Sequence, residues 1–403
     1  MADGAISDAT TITLGATIDD VRRQNLSQVL RLVHRDGPHS RSDLTRATGL
    51  NRSTVGGLVL ELSHRGLVDE NDSTGPRRVG RPSPTVSASD QTTAIAVNPE
   101  IDAIDVALVG LSGAVLQRVR YRNERVPTVS EFVNIVSALT AGMRPYGSGR
   151  QALGIGVAIP GLVREADGTV ILAPHLGWQD APIGRMITDA TGYDVVIGND
   201  ANCGVIAENT FGAGRGDGVV IYLNGGASGI GGGIVINNRL IAGEGGNAGE
   251  FGHTVVTSVG RRCHCGSTGC LETEVRRERL LSALSLMNTE PDDLLVAMEL
   301  AWLDRRSVGR REMERQLSHL GVALRSIINV FNPRRVILGG YLAQLLAVVG
   351  EHELRGWIAP TLPGASAEPD LVGTGLADAL LLIGAAELVF APALEDPTRV
   401  AER

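Results

Sequence analysis

Glu250-Phe251-Gly252-His253, followed after nine residues by Cys263-His264-Cys265-Gly266-Ser267-Thr268-Gly269-Cys270-Leu271-Glu272, gathers most of the metal-binding chemistry of this chain. One histidine and three cysteines fall at H-x9-C-x-C-x4-C spacing, a complete tetrahedral Cys₃His set. Thiolates are soft donors and imidazole is borderline, so His253, Cys263, Cys265 and Cys270 are expected to hold one structural Zn²⁺ rather than magnesium or calcium. Gly266 and Gly269 supply tight turns between the ligands, and Glu250 and Glu272 bracket the set. The competing account pairs the cysteines in disulfides and leaves His253 incidental. Cys263 and Cys265 are too close in sequence to bridge each other comfortably. The start Met1-Ala2-Asp3-Gly4 lacks the basic and apolar regions of a signal peptide. The expected compartment is therefore the cytoplasm, where thiols stay reduced and metal binding is favoured. His264 is expected to face solvent, and Cys203 to behave as a small buried apolar residue.

Working outward, 403 residues with 43% hydrophobic content suffice for two or three domains with a core. The 51 glycines point to many tight turns or ligand loops. Aromatic residues make up only 3%, too few for platforms that stack single-stranded nucleic acid. All 37 basic residues are arginine, which excludes a lysine nucleophile or Schiff base. The apolar stretches near 336–349 and 377–389 are too short and glycine-interrupted to span a bilayer, so no membrane partner is expected.

The net charge of −8 is unevenly spread: residues 21–82 carry 11 Arg against 6 Asp and Glu, leaving −13 on the remainder. A basic module on an acidic body implies that only the front end meets DNA. In that front end, Leu26, Val29, Leu30, Leu32 and Val33 fall at helical spacing and Gly37-Pro38 stops the helix. Ser40 caps a short second helix, with Asp43 three residues on. Gly49 makes the turn, and Asn51 caps a third helix whose Val55, Leu58, Val59 and Leu62 face inward. This is the helix-turn-helix pattern. The N-terminal end of its second helix enters the major groove in such motifs. Arg41, Asn51, Arg52, Ser53 and Thr54 are thus candidate DNA contacts, with Arg52 able to make a bidentate contact to guanine. An extended segment from Gly66-Leu67-Val68 and the run Arg77-Arg78-Val79-Gly80-Arg81-Pro82 read as a wing. Arg78 and Arg81 suit a narrow minor groove, and Gly80 permits close approach. A winged helix used for protein contacts is the alternative.

From about Thr92 short apolar strands alternate with helical stretches. Strands are expected at 95–97, 104–109, 153–159, 195–197, 219–223 and 234–236, with helices at 129–144, 201–211, 276–287, 310–331 and 376–390. That alternation indicates an α/β body in two layered lobes.

Four stretches in this order, Asn199-Asp200-Ala201-Asn202, Gly229-Ile230-Gly231-Gly232-Gly233, Ala248-Gly249-Glu250-Phe251-Gly252-His253 and the 263–272 cluster, resemble the ROK family of repressors, open reading frames and kinases. The likeness covers essentially the whole chain, since ROK repressors place a winged helix-turn-helix before a sugar-kinase-like body. It implies an actin-like ATPase (ribonuclease H-like) fold with sugar bound between two lobes. By the same likeness, Asn199, Asp200, Glu250, His253 and Glu272 match the sugar contacts, and His253 with the three cysteines matches the zinc site. Asp200 matches the base that deprotonates the attacking hydroxyl in the kinases. It also stands where a helix N-cap is expected ahead of 201–211. Carboxylates accept charge-assisted hydrogen bonds from several hydroxyls at once, which fits a sugar site.

One part departs from the kinase pattern. Where ROK kinases carry Asp-x-Gly-Gly-Thr to hold nucleotide phosphates, this chain has Val97-Asn98-Pro99-Glu100-Ile101-Asp102. Pro99 removes an amide donor, no glycine permits close approach, and Glu100 and Asp102 would repel phosphate. Ala227-Ser228 likewise replaces Gly-Thr before the glycine run. The expectation is a non-enzyme: a sugar-responsive regulator, a repressor of carbohydrate uptake or catabolism genes. Its partners would be double-stranded operator DNA, a small sugar or sugar derivative, and further copies in a homodimer or dimer of dimers. An active ATP-dependent sugar kinase with a fused DNA-binding domain is the alternative, and a zinc-responsive regulator a third. The expected layout is a disordered tail at 1–18, the winged helix at 19–90, a first lobe at 91–200 joined by a C-terminal helix at 376–391, a second lobe at 201–375 with the zinc site and dimer contacts, and a tail at 392–403.

Overall fold

A computed structural model describes residues 17–71, 84–143, 149–226, 229–286, 291–360 and 368–402. They form two compact units, one running to Ser89 and resuming at Ala391, the other Asp90–Phe390.

In the first unit, α1 (Ile18–Asp36) opens on a reciprocal cap. Thr17 Oγ1 accepts from the Asp20 N–H at 3.1 Å, and the Asp20 carboxylate accepts from the Thr17 N–H at 2.9 Å. After β1 (His39–Ser40), α2 (Arg41–Thr48) starts where Ser40 Oγ accepts from the Asp43 N–H at 3.1 Å. Gly49, at φ +71°, turns the chain out of α2. Then α3 (Arg52–His64) starts where Asn51 Oδ1 accepts from the Thr54 N–H at 2.8 Å. Leu26, Val29, Leu30 and Val33 of α1, Leu44 of α2, and Val55, Leu58, Val59 and Leu62 of α3 are all buried. Each such aliphatic side chain stabilises the bundle by roughly 1.5–3 kcal/mol relative to exposure. β2 (Val68–Asn71) and β3 (Thr85–Ala88) form the antiparallel hairpin of the wing, with β1 on the other side of β3. Arg78, Gly80 and Arg81 lie outside the described residues.

The segment expected to be a C-terminal tail is built into this unit instead. Ser27 Oγ donates to the Leu394 carbonyl at 2.7 Å, Arg65 Nη1 donates to the Val400 carbonyl at 2.6 Å, and Val400 is buried. Arg65 caps the end of α3 and Ser27 projects from α1, so the tail is held by donors whose pairing no local pattern reveals.

The second unit repeats one topology twice. Its first half runs β4 (Thr92–Pro99), β5 (Ala103–Gly110), β6 (Val115–Arg122), α4 (Val129–Met143) and β7 (Gln151–Ile159). It continues through a small sheet, β8 (Leu162–Arg164), β9 (Thr169–Ala173) and β10 (Trp178–Ala181), then α5 (Ile183–Thr191), β11 (Val195–Asn199) and α6 (Asp200–Thr210). Its second half runs β12 (Val219–Gly226), β13 (Gly229–Ile236), β14 (Arg239–Leu240), α7 (Leu271–Glu274), α8 (Arg277–Ala283), α9 (Pro291–Leu303) and α10 (Val308–Phe331). It ends with β15 (Arg335–Gly340), α11 (Tyr341–Val349), α12 (Glu351–Gly356), β16 (Asp370–Gly373) and α13 (Leu380–Glu395). The sheets are ordered β6-β5-β4-β7-β11 and β14-β13-β12-β15-β16. In each, the first three strands form an antiparallel meander and the last two add in parallel. Every residue of β4 and β5 is buried, as strands covered on both faces require.

The two halves exchange their last helices. α6 leaves β11 but packs on β13, where a Cβ at Gly231 would stand 3.0 Å from the Ala201 Cβ and one at Gly233 2.6 Å from Val205 Cγ1. α13 leaves β16 and packs on β7, with Gly156 against the Ala385 carbonyl. The two helices touch where Gly384 meets the Cys203 backbone. The glycine run at 229–233 is therefore a strand that helices approach closely, not a turn; only Gly229 has a left-handed φ, +118°. The helical stretch Ala377–Glu395, with 19 residues, is longer than expected from sequence and is long and apolar enough to cross a bilayer. Yet 61% of its most apolar 18-residue window is buried within the protein, as in a core helix.

Candidate functional site

The four residues expected to hold zinc converge. His253 ends the short turn Phe251–His253, and bridges Val255 to Cys270 and Arg262 to Thr268 fold the cysteine loop back on itself. The ligand atoms of His253, Cys263, Cys265 and Cys270 lie within 4.8 Å of one another. Cys263 Sγ is 3.5 Å from His253 Nδ1, and Cys265 Sγ is 3.6 Å from Cys270 Sγ. Zinc–sulfur bonds of about 2.3 Å in a tetrahedron put neighbouring sulfurs about 3.8 Å apart, so the donor set fits that ion. Burial and the Glu272 carboxylate push the Cys263 thiol up, burial does the same to Cys270, and the Ser267 N–H lowers Cys265. Glu274 anchors the loop: its carboxylate accepts from the Arg261 N–H at 2.8 Å and from Arg315 of α10 at 3.2 Å.

His253 turns Nδ1 toward the cysteines and Nε2 toward Glu250, whose Oε2 is 4.0 Å away. Glu272 Oε1 accepts from the Cys263 thiol at 3.0 Å and is 3.1 Å from His264 Nδ1. His264 is thus half-exposed but tethered rather than simply facing solvent, with its ring edge-on to His253 at 5.0 Å. Cys203 is fully buried beneath Gly198 and Gly384, and burial pushes its thiol up.

Asn199 and Asp200 stand at the junction of β11 and α6. The cap is Asn199, not Asp200: its Oδ1 accepts from the Asn202 N–H at 3.1 Å while its Nδ2 donates to the Gly161 carbonyl at 3.0 Å. Each end of that amide makes one backbone bond, so a second N–H and an oxygen lone pair remain for a ligand beside the Asp200 carboxylate. Asp200 accepts from the Ala201 N–H at 2.8 Å. Burial pushes its carboxyl up to about 7, opposed by that N–H and reinforced by the nearby Glu250 charge. Burial also pushes Glu250 up, opposed by His253 and reinforced by Glu272. Glu250 thus lies in the field of both groups, acting on Asp200 on one side and feeling His253 and Glu272 on the other, and these acceptors suit hydroxyl groups.

The turn after β4 is a tight one, closed by the Glu100 N–H donating to the Ala103 carbonyl at 2.7 Å. Its acids do not stand bare, as the sequence suggested. Arg120 of β6 reaches Glu100 at 3.2 Å, Asp102 at 3.7 Å and the buried Asp105 at 2.5 Å, and Arg118 reaches Asp105 at 3.1 Å. Those arginines were missed because their signal is a register, Asp105 opposite Arg120 across β5 and β6, that only the paired strands display. Ala227 and Ser228 lie outside the described residues.

On the helix-turn-helix unit, Arg52 and Ser53 are exposed at the start of α3 and Thr54 is half-buried. Asn51 commits its side-chain oxygen to the cap. Arg41 is held by Glu70 of β2 at 2.5 and 2.6 Å, so its guanidinium is bound within the fold.

Twin sheets of one topology, acidic side chains beside a Cys₃His set and a helix-turn-helix unit define a sugar-kinase-like body of the actin-like class joined to a winged-helix domain. Residues 95–391 match the ROK family, and the chain belongs to that family. It is 30% identical to the xylose repressor of Bacillus subtilis over 79% of this chain and 82% of that protein. It is 29% identical to the DNA-binding transcriptional dual regulator NagC of Escherichia coli K12 over 81% and 82%. Among solved structures, a ROK family transcriptional regulator homologous to the E. coli MLC protein superposes with a TM-score of 0.73 at 24% identity, covering 93% of this chain and 97% of that one. A ROK glucokinase from Streptomyces griseus, solved with glucose and AMPPNP, gives 0.62 at 26% identity over 73% and 98%.

Proposed function

We propose that this chain is a sugar-responsive DNA-binding transcriptional regulator, a cytoplasmic repressor of carbohydrate uptake or catabolism genes that does not phosphorylate its ligand. Asn199, Asp200, Glu250, His253 and Glu272 take the sugar. Arg52, Ser53 and Thr54 face operator DNA, with the wing residues Arg78, Gly80 and Arg81 as further contacts. A homodimer, or a dimer of dimers, presents two recognition helices to a palindromic operator. One zinc per chain, held by His253, Cys263, Cys265 and Cys270, fixes the loop that delivers His253 and Glu272 to the pocket.

One observation carries this: acceptors suited to hydroxyls are present, while β4 ends in Pro99 and an Arg120-tied carboxylate cluster follows it where the kinase pattern holds phosphate. The names of the relatives, a xylose repressor and a DNA-binding transcriptional dual regulator, support the same conclusion. The sugar must bind the DNA-competent and DNA-released states with different affinity. A coupling of about 1–3 kcal/mol, a change of roughly 5- to 150-fold in operator affinity, is expected. Fluorescence anisotropy of labelled operator, titrated with a panel of sugars and sugar phosphates, reads it directly. If no sugar changes operator affinity, the proposal fails.

Asp200 at about 7 is also suited to a general base, which favours active sugar kinase as the second reading. Purified protein with ATP, magnesium and the same panel decides: turnover that Asp200→Ala abolishes establishes the enzyme.

A further inference from the structure

Glu272 sits in α7 with its side chain only 11% exposed and its two oxygens in different company. Oε2 lies over Gly229 at the start of β13, where an added Cβ would stand 2.7 Å from it. Oε1 reaches into the cysteine loop and meets three groups there. They are Cys263 Sγ at 3.0 Å, His264 Nδ1 at 3.1 Å and His253 Nδ1 at 3.6 Å.

Metal ligation changes what those three groups can offer. A ligating cysteine is a thiolate, and a ligating imidazole nitrogen carries no proton. Cys263 Sγ and His253 Nδ1 then have nothing to donate to Glu272, and the thiolate repels its charge. A mostly buried carboxylate oxygen left without a donor costs free energy. Of the three neighbours, only His264 keeps a donor. Its Nδ1 has acceptors on both sides, Glu272 Oε1 and, at 3.8 Å, Cys263 Sγ, so this nitrogen carries the ring proton. The His264 ring is braced edge-on against His253, with centroids 5.0 Å apart. His264 is not needed as a metal ligand, because the Cys₃His set already has four donors.

We infer that His264 is a positioning residue of the sugar site. Its Nδ1–H holds Glu272 Oε1 beside the zinc-bound Cys263 and leaves Oε2, over Gly229, to accept from a sugar hydroxyl. This rests on the zinc and sugar roles proposed above, and it names the group that lets a carboxylate stand next to a thiolate.

The test is isothermal titration calorimetry of the full zinc-loaded chain with D-xylose, D-glucose and N-acetyl-D-glucosamine, sugars that appear in the names of its relatives and of the solved kinase complex. Elemental analysis counts zinc, and circular dichroism and melting curves check folding. His264→Ala should weaken the sugar that binds by roughly 10-fold, the loss of a hydrogen bond to a charged group, with one zinc per chain retained. His264→Asn should restore most of the affinity, because its amide nitrogen takes the place of Nδ1. His264→Gln, whose amide reaches one bond further, should not. In a Glu272→Gln background, His264→Ala should cost little more, since it acts through that carboxylate. Sugar affinity that His264→Ala leaves unchanged, an Asn variant as weak as Ala, full additivity with Glu272→Gln, or loss of zinc from His264→Ala overturns the positioning role and leaves the sugar sensor standing. A wild-type chain that lacks zinc or binds none of the three sugars overturns the proposed site as well.

Discussion

Asp200→Asn should stabilise this protein while disabling its pocket. Burial holds the Asp200 carboxyl at about 7, against about 3.9 for an unfolded chain. The folded pKa is the higher of the two, so the folded state binds the proton more tightly. Stability therefore falls as pH rises between those values, and above pH 7 the whole cost is present. About three units at about 1.4 kcal/mol each set an upper bound of about 4 kcal/mol. Some water reaches this half-buried group, so a gain of about 2–4 kcal/mol is expected when the charge is removed at pH 8. Asn keeps an oxygen to accept from the Ala201 N–H, so little is lost in exchange. Calorimetry of both proteins should show the variant melting roughly 4–10 °C higher at pH 8. The gap should narrow by about 1.4 kcal/mol per pH unit between pH 7 and 5. In the same samples sugar affinity should drop by roughly 10- to 100-fold, the loss of charged acceptors for hydroxyl donors. A stability gap that does not vary with pH, or a variant that melts lower at pH 8, would refute the buried-charge argument.

Zinc stripping by a chelator, or Cys270→Ser, should remove about one metal per chain by elemental analysis and abolish sugar-dependent operator release, since His253 and Glu272 lose their frame. Retained sugar response in metal-free protein would show that the loop stands without zinc. Glu208 is fully buried and accepts from the Ala213 N–H at 2.6 Å, the Gly375 N–H at 2.9 Å and the Thr374 hydroxyl. Glu208→Ala orphans all three donors and should cost about 3–5 kcal/mol in urea unfolding, with Glu208→Gln costing less. Gly57 lies inside α3, and a Cβ added there would meet nothing within 4 Å. Gly57→Ala should stabilise the DNA-binding unit by up to about 1 kcal/mol of helix propensity, read as a higher melting point, and a fall would mean that α3 needs glycine there.

What the sequence disclosed was local or repeated. Ser40 and Asn51 announce the helices they cap because a cap is read within three residues. The Cys₃His set was legible because its four ligands are close in sequence and their chemistry is distinctive. The glycines at 229–233 were harder: a missing side chain looks the same whether it serves a positive φ or a neighbour's approach, and here the neighbours Ala201, Val205 and Phe251 come from distant segments. Arg120 was invisible for a related reason, since VLQRVRYR reads as a polar surface strand until its pairing puts Asp105 opposite. Asn199 and Asp200 are adjacent and both cap well, so only the observed bonds tell them apart. The C-terminal segment looked like a tail because Leu394 and Val400 are few among polar residues, and their partners lie more than 300 residues earlier.

The exchange of α6 and α13 between the two sheets has a consequence for how the body can be divided. Each half holds a complete sheet of the shared topology, and a fragment cut at the loop after α6 would look self-sufficient on paper. Yet each half has lent its closing helix to the other, with Gly156 and Gly231 shaped to receive them. Separated halves would each bare the apolar face that its borrowed helix covered and carry a helix with nothing to lie against. Although it is written as a repeat, the body is inherited, expressed and unfolded as one indivisible piece.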